Sequence, residues 1–239
     1  MSDLESSSVA GESCGVLSDG PAIEARGIVR TFEIGERRIE VLKGVTLSVA
    51  HGEKLFLVGP SGAGKTSLLY TLAGLEKPND GEVLVDGKSL YGLSRREQAR
   101  MRNSRMGYVF QSFFLMPELT AAENVMVPAM ISRRQVRDRA VELLDRVGLS
   151  ERCDHLPSEL SGGEQQRVAI ARSLMNDPEI IFADEPTGNL DTKTGLAVME
   201  LLMELADEKE RTLIVVTHDA DLAALGERIV TLVDGKIVS

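Results

Sequence analysis

The segment Gly59-Pro60-Ser61-Gly62-Ala63-Gly64-Lys65-Thr66 fits the pattern G-x-x-x-x-G-K-[ST], whose residue types suit a polyphosphate. Glycines let successive backbone N–H groups face the phosphate oxygens. Lys65 supplies a cation that reaches the terminal phosphates, and the Thr66 hydroxyl can ligate Mg²⁺. Further along, Ile180-Ile181-Phe182-Ala183 ends in Asp184-Glu185, and the run Thr212-Leu213-Ile214-Val215-Val216 ends in Thr217-His218-Asp219. Two adjacent carboxylates after a strand are ordinary turn residues when alone. Beside a phosphate cradle they can divide labour, Asp184 holding Mg²⁺, usually through water, and Glu185 polarising an attacking water. A second glycine-rich segment, Leu160-Ser161-Gly162-Gly163-Glu164-Gln165-Gln166, lies 94 positions after Thr66. Ser161 can cap a helix beginning at Gly162, whose free N–H groups, that of Gly163 included, then form a second positive site for phosphate.

The elements needed to position these groups are legible around them. Residues 54–58 form a short apolar run of buried-strand type, and residues 66–73 read as a helix ending at Gly74, so strand, glycine loop and helix N-terminus follow in the order an anion site requires. Residues 23–34 and 38–49 are two β-type segments joined by Gly35-Glu36-Arg37 as a hairpin. Residues 82–85 with Asp86-Gly87 give another strand and turn, and the polar stretch 94–105 reads as an exposed helix. From about 120 to 176 the pattern is mostly helical, with Val136, Ala140, Leu143, Leu144 and Val147 at helical spacing from Arg133 onward and Gly148 as the cap. The apolar runs 179–183 and 212–216 have the continuous character of strands buried on both faces, as in a parallel sheet, where ligands gather at the carboxyl ends.

Composition narrows the function further. A length of 239 residues suffices for one large domain or a domain with a subdomain. A net charge of −10 argues against a duplex nucleic-acid binder, which carries a basic footprint. Cys14 and Cys153 have no metal-type spacing, so neither a disulfide framework nor a zinc site is expected. The apolar run from Val125 to Ile131 contains Pro128 and falls far short of the roughly 20 residues that span a bilayer. Residues 1–20, rich in Ser and acidic side chains, read as a disordered tail rather than a signal peptide.

Across residues 21–239 the chain resembles the ATPase subunits of ABC transporters, because the cradle, Leu160 to Gln166, Asp184-Glu185, Gly188-Asn189-Leu190-Asp191 and His218 occur in that family's order and spacing. The resemblance implies an α/β fold: a P-loop NTPase core with a mostly parallel sheet, an N-terminal antiparallel β subdomain and an inserted helical subdomain at about 112–176. It implies ATP and Mg²⁺ as ligands, and ATP hydrolysis. Gln111, after Met106-Gly107-Tyr108-Val109-Phe110, matches the glutamine that senses Mg²⁺ and the attacking water. His218 matches the switch histidine that contacts the γ-phosphate and helps hold Glu185. The segment 188–191 matches the one lining a dimer interface, and Ser161 and Gly163 would face the cradle of a second copy in a head-to-tail ATP sandwich. Where the family commonly has an adenine-stacking tyrosine this chain has Phe32, which either stacks on the base without a hydroxyl or packs in the core.

Within the family, Ser112 to Thr120 and Asp154 to Leu160 look most like the lipoprotein-releasing ATPases of the LolD type, with macrolide-exporter and cell-division ATPases as near relatives. That resemblance implies a peripheral homodimer on the cytoplasmic face of the inner membrane, bound to integral permease subunits and powering lipoprotein release or export. Export of macrolides or other hydrophobic molecules, and non-transport regulation of an envelope machine, stay open as alternatives. The apolar residues Phe113 to Met116 are either core or the lining of a groove for a short helix of the membrane partner.

Overall fold

The computed structural model describes residues 20–35, 37–131 and 136–238. The acidic tail up to residue 19, Glu36 of the hairpin turn and the Arg133 start of the helical pattern lie outside the described residues. β1 (Ile23–Ile34) and β2 (Arg37–Val49) pair antiparallel, from Ile23 opposite Val49 to Ile34 opposite Arg37. β3 (Lys54–Val58) then leads into α1 (Lys65–Leu72). β4 (Asp80–Val85) joins the free edge of β1 and turns back through Asp86 and Gly87, at φ 48° and 71°, into the two-residue β5 (Lys88–Ser89). Positive φ at both turn residues matches the twist of a tight hairpin.

The second sheet has the order β10-β9-β3-β8-β7-β6, where β6 is Met106–Phe110, β7 Ile180–Asp184, β8 Thr212–Val216, β9 Arg228–Val233 and β10 Lys236–Ile237. All its pairings are parallel except the β9–β10 hairpin at one edge. Both faces of this sheet are covered, so the interior positions of its central strands are apolar. Phe56, Ile181, Ala183, Leu213 and Val215 face one cluster with α3 (Ala121–Ile131), α4 (Arg137–Arg146), α5 (Gly162–Ser173) and α6 (Thr192–Asp207). Leu55, Leu57, Ile180, Phe182, Ile214 and Val216 face the other, with α1 and the antiparallel sheet. This alternation is the period-2 pleat expressed on two buried faces.

α2 (Arg95–Arg105) buries none of its residues and starts with a capping box between Ser94 and Glu97, so its polar character reflects a solvated helix. α4 begins at Arg137 and ends where Gly148 turns left-handed, φ 72°, with Leu149 N–H bonding back to Leu144. The order of the parallel strands brings the ends of β3, β6, β7 and β8 to one edge. Residues 59–66, Gln111, Asp184-Glu185 and Thr217-His218 all emerge there.

Candidate active site

The cradle is built by the shortest route from β3 to α1. Gly59 sits at φ 145°, and a Cβ there would fall 2.0 Å from the Leu232 carbonyl oxygen, so no side chain fits where the loop crosses β9. Gly64, left-handed at φ 100°, precedes the first turn of α1. That turn has no side-chain cap, which leaves its N–H groups free for an anion. Lys65 is buried, and its ammonium donates to the carbonyls of Gly59 at 2.8 Å and Pro60 at 3.1 Å. A cavity of about 600 Å³ opens here, lined by residues 61–67 with Val41, Glu185 and His218. Val41, on β2, was not legible as a site residue, since only sheet pairing brings it to the loop.

Behind the cradle the Thr66 hydroxyl donates to Asp184 Oδ1 at 3.0 Å. Asp184 is 8% exposed, and that burial pushes its carboxyl above the usual aspartate value despite the hydrogen bond from Thr66. Tyr70, one turn along α1 from Thr66, also interacts with Asp184; burial pushes its phenol up to about 12, so the hydroxyl stays protonated as a donor. A carboxylate beside a hydroxyl is a donor set suited to a hard cation, whose charge would offset the burial and favour the ionised carboxylate. Among the described residues no group of three or more His, Cys, Asp or Glu could hold a metal ion. The sparse oxygen set fits Mg²⁺, which keeps most of its waters and takes one or two protein ligands.

The raised Asp184 value has a thermodynamic consequence. Its folded-state value lies above the unfolded one, so the protonated form is favoured by folding and stability is lost as pH rises through the folded value. Replacing Asp184 by Asn is therefore expected to raise the unfolding midpoint of the nucleotide-free protein at pH 7, each kcal/mol relieved appearing as roughly 2–4 °C. The gain should vanish below pH 3.8, the ordinary aspartate value. Scanning calorimetry of both proteins across that range checks it.

Glu185 adopts φ 43°, a left-handed conformation that costs a non-glycine residue of order 1 kcal/mol. Its N–H donates to the Val216 carbonyl at 2.9 Å, tying the turn after β7 to the end of β8. The turn aims the carboxylate at the cavity, where Oε2 lies 3.0 Å from Nδ1 of His218. His218 is the more exposed partner, with 66% of its side chain accessible against 24% for Glu185.

The remaining predicted residues lie apart from this group. Gln111 follows β6, but its side chain is taken up by Asn189: Gln111 Nε2 donates to Asn189 Oδ1 at 3.4 Å, and Asn189 Nδ2 donates to the Gln111 carbonyl at 2.9 Å. Gln111 thus bridges β6 to the 188–191 segment and does not line the cradle cavity. Phe32 does not line it either. The Arg30 guanidinium covers one face of its ring, 4.5 Å from the centroid. Ser161 caps α5 in a reciprocal box with Glu164, the two linked at 2.7–3.4 Å. Gly163 follows in the first turn, and a Cβ there would stand 2.6 Å from Thr194 Cγ2, so α5 and α6 meet closely at their N-termini. Neither Ser161 nor Gly163 lines the chain's own cavity. Asp191 caps α6, its Oδ1 accepting from Thr194 N–H at 3.1 Å.

The chain is similar to known proteins in sequence and in fold. The ABC transporter family profile matches residues 42–188. The lipoprotein-releasing system ATP-binding protein LolD of Syntrophotalea carbinolica is 48% identical over 225 residues, covering 92% of this chain and 99% of that protein. The dimeric structure of a bacterial ABC transporter cassette superposes with a TM-score of 0.85 at 43% identity, over 91% of this chain and 97% of that one. A dimeric structure of an ATP-binding cassette in a post-hydrolysis state, bound to ADP and Pi, gives 0.84 at 42% identity over the same shares. The chain belongs to the ABC transporter family, as one of its ATP-hydrolysing subunits.

Proposed function

We propose that two copies of this chain form a peripheral motor on the cytoplasmic face of the inner membrane, where ATP hydrolysis drives integral permease subunits that release lipoproteins. The observation that carries the motor is the convergence of Lys65, Thr66, Glu185 and His218 on one cavity with Asp184 bonded behind Thr66, while Ser161 and Gly163 at the capped N-terminus of α5 do not line it. A second copy supplies what one chain lacks. Its Ser161 and Gly163 would bring the free N–H groups of α5 to the terminal phosphate, a fixed positive end needing no reorganisation as charge develops. The likeness to a dimeric cassette supports this pairing.

Within each site the N–H groups of residues 59–66 and the Lys65 ammonium orient the phosphates. Glu185 Oε2 accepts the proton of the attacking water, and His218 holds that carboxylate in place through Nδ1. Thr66 and Asp184 would hold Mg²⁺, which when bound neutralises charge on the phosphate oxygens. Gln111 would report the state of the site to the helices through Asn189 and the 188–191 segment. Phe32, with Arg30 behind it, offers its other face to adenine.

Lipoprotein release rests on the likeness to the lipoprotein-releasing protein over nearly the whole of both chains. Among the described residues no helix is long and apolar enough to cross a membrane, so translocation falls to partner subunits. Affinity capture of the tagged chain from its native membranes tests the assignment. The expected result is an integral subunit with a large extracytoplasmic domain and bound lipoprotein. Recovery of a subunit carrying a hydrophobic small molecule, or of a cell-wall regulator without cargo, would overturn it.

A further inference from the structure

The register of β1 against β2 shifts just before Phe32. Arg30 pairs with Leu42 and Thr31 with Glu40, which leaves Val41 over on β2 as a bulge, and Val41 lines the cradle cavity. Phe32, opposite Ile39, follows directly. The segment after α1 grips the same stretch of β1. Asn79 N–H donates to the Val29 carbonyl at 2.8 Å, Thr31 N–H donates to Asn79 Oδ1 at 2.8 Å, and Glu76 Oε2 lies 3.4 Å from Arg30 Nε. The N–H groups of Leu75 and Glu76 in turn donate to the Tyr70 carbonyl at 2.9 and 3.1 Å. The strand that carries Phe32 is thus tied to the helix that carries Lys65 and Thr66.

The Arg30–Glu76 pair gives up hydrogen-bond geometry. Arg30 Nε and Glu76 Oε2 are buried atoms, yet neither has a hydrogen-bond partner among the described residues, and each meets the other at 3.4 Å. Arg26, on the same strand, shows what an unconstrained pair does: its Nε and Nη2 both donate to the Glu24 carboxylate at 2.8 Å. A buried donor left short of its acceptor is destabilising, so something must hold the Arg30 guanidinium off the carboxylate. The Phe32 ring does so, with Arg30 Cζ over one face at 4.5 Å from the centroid. Stacking fixes the guanidinium plane, and the charge of Glu76 keeps it from swinging into solvent.

Two aromatic faces repel each other through their negative quadrupoles. A cation on one face draws that density towards itself and leaves the opposite face better suited to a second ring. We propose that Arg30, held by Glu76, is a positioning residue that orients Phe32 and tunes its open face for the purine base of the nucleotide. The inference rests on the reading that Phe32 stacks on adenine, and adds two residues outside the glycine loop that set how much of the affinity comes from the base.

Titrations of the whole chain with Mg-ATP and with inorganic tripolyphosphate, a probe that lacks the base, test this. Arg30→Met, which keeps the aliphatic stem and removes the charge, is expected to weaken ATP binding about 3- to 10-fold and to leave tripolyphosphate binding unchanged. Arg30→Lys should recover part of the loss, and Glu76→Gln should show a smaller loss of the same kind. In steady-state assays the loss should fall on KM rather than kcat, because contact with the base is the same in ground and transition states. Phe32→Ala is the reference and should cost at least as much as Arg30→Met. Parallel loss of ATP and tripolyphosphate affinity in Arg30→Met would make Arg30 a residue of the fold alone and overturn the proposal. Unchanged ATP affinity in Arg30→Met beside a weakened Phe32→Ala would also overturn it, leaving the stacking reading intact. Unchanged ATP affinity in Phe32→Ala would overturn the stacking reading and this inference with it.

Discussion

Glu185→Gln is expected to abolish ATP turnover while leaving Mg-ATP bound. The substitution keeps the size of the side chain and the left-handed turn, whose main-chain bond to Val216 does not involve the side chain. It removes the one acidic oxygen that faces the cavity and meets His218 at 3.0 Å. Loss of a positioned proton acceptor costs about 10²–10⁴-fold in rate. Binding should survive, because Lys65 and the free N–H groups at the start of α1 are untouched and one negative charge near the phosphates is gone. The same loss of repulsion should let ATP hold two copies together long enough to appear as a dimer in size-exclusion chromatography. Phosphate release equal to that of the unaltered protein would remove Glu185 from the role of base. His218→Ala is expected to lower turnover less, since His218 touches Glu185 and is largely solvent-exposed.

The parts of this chain that were legible in the sequence are those in which burial leaves a local mark. β3 occupies residues 54–58 and β8 residues 212–216, both as expected, because strands covered on two faces are apolar on both after their polar first residues. α2 was legible through the opposite mark, a stretch of mostly charged and polar residues. α6 carries an equally plain stripe, Val198, Met199, Leu202, Leu205 and Ala206, with Asp191 as its cap. The start of this helix carries weaker marks, with no acidic residue in its first turn and Gly195 close behind Thr194. The short β5 leaves almost no mark, since two residues carry no period.

Site residues divide in the same way. Lys65, Thr66, Asp184, Glu185 and His218 stand at element ends whose order the runs reveal. Val41 and Tyr70 gained their places from sheet pairing and from a helix face, so their types alone say nothing of phosphate or Mg²⁺. The pairing of Gln111 with Asn189 joins positions 78 residues apart, and the hold of Arg172 on Phe113 and Phe114 joins positions 59 and 58 apart. Such contacts are set by tertiary packing, which a single sequence does not encode at any fixed spacing.

Lys65→Ala is expected to reduce ATP affinity by about 30-fold to several thousand-fold, the range that 2–5 kcal/mol spans when one member of a buried charge pair is truncated. The ammonium is buried and already oriented by the carbonyls of Gly59 and Pro60, so little side-chain freedom remains to be lost when phosphates enter. Removing it takes away the cation and also strips those two carbonyls of their donor, so the loop itself should loosen. Lys65→Met separates the two effects from the loss of packing, because it keeps most of the aliphatic stem. If charge dominates, Met and Ala variants should lose ATP affinity equally in calorimetric titration. If the stem's packing in the loop dominates, Met should recover much of the affinity. Unchanged affinity in both would mean that the backbone N–H groups of residues 59–66 hold the phosphates unaided, and would remove Lys65 from the site.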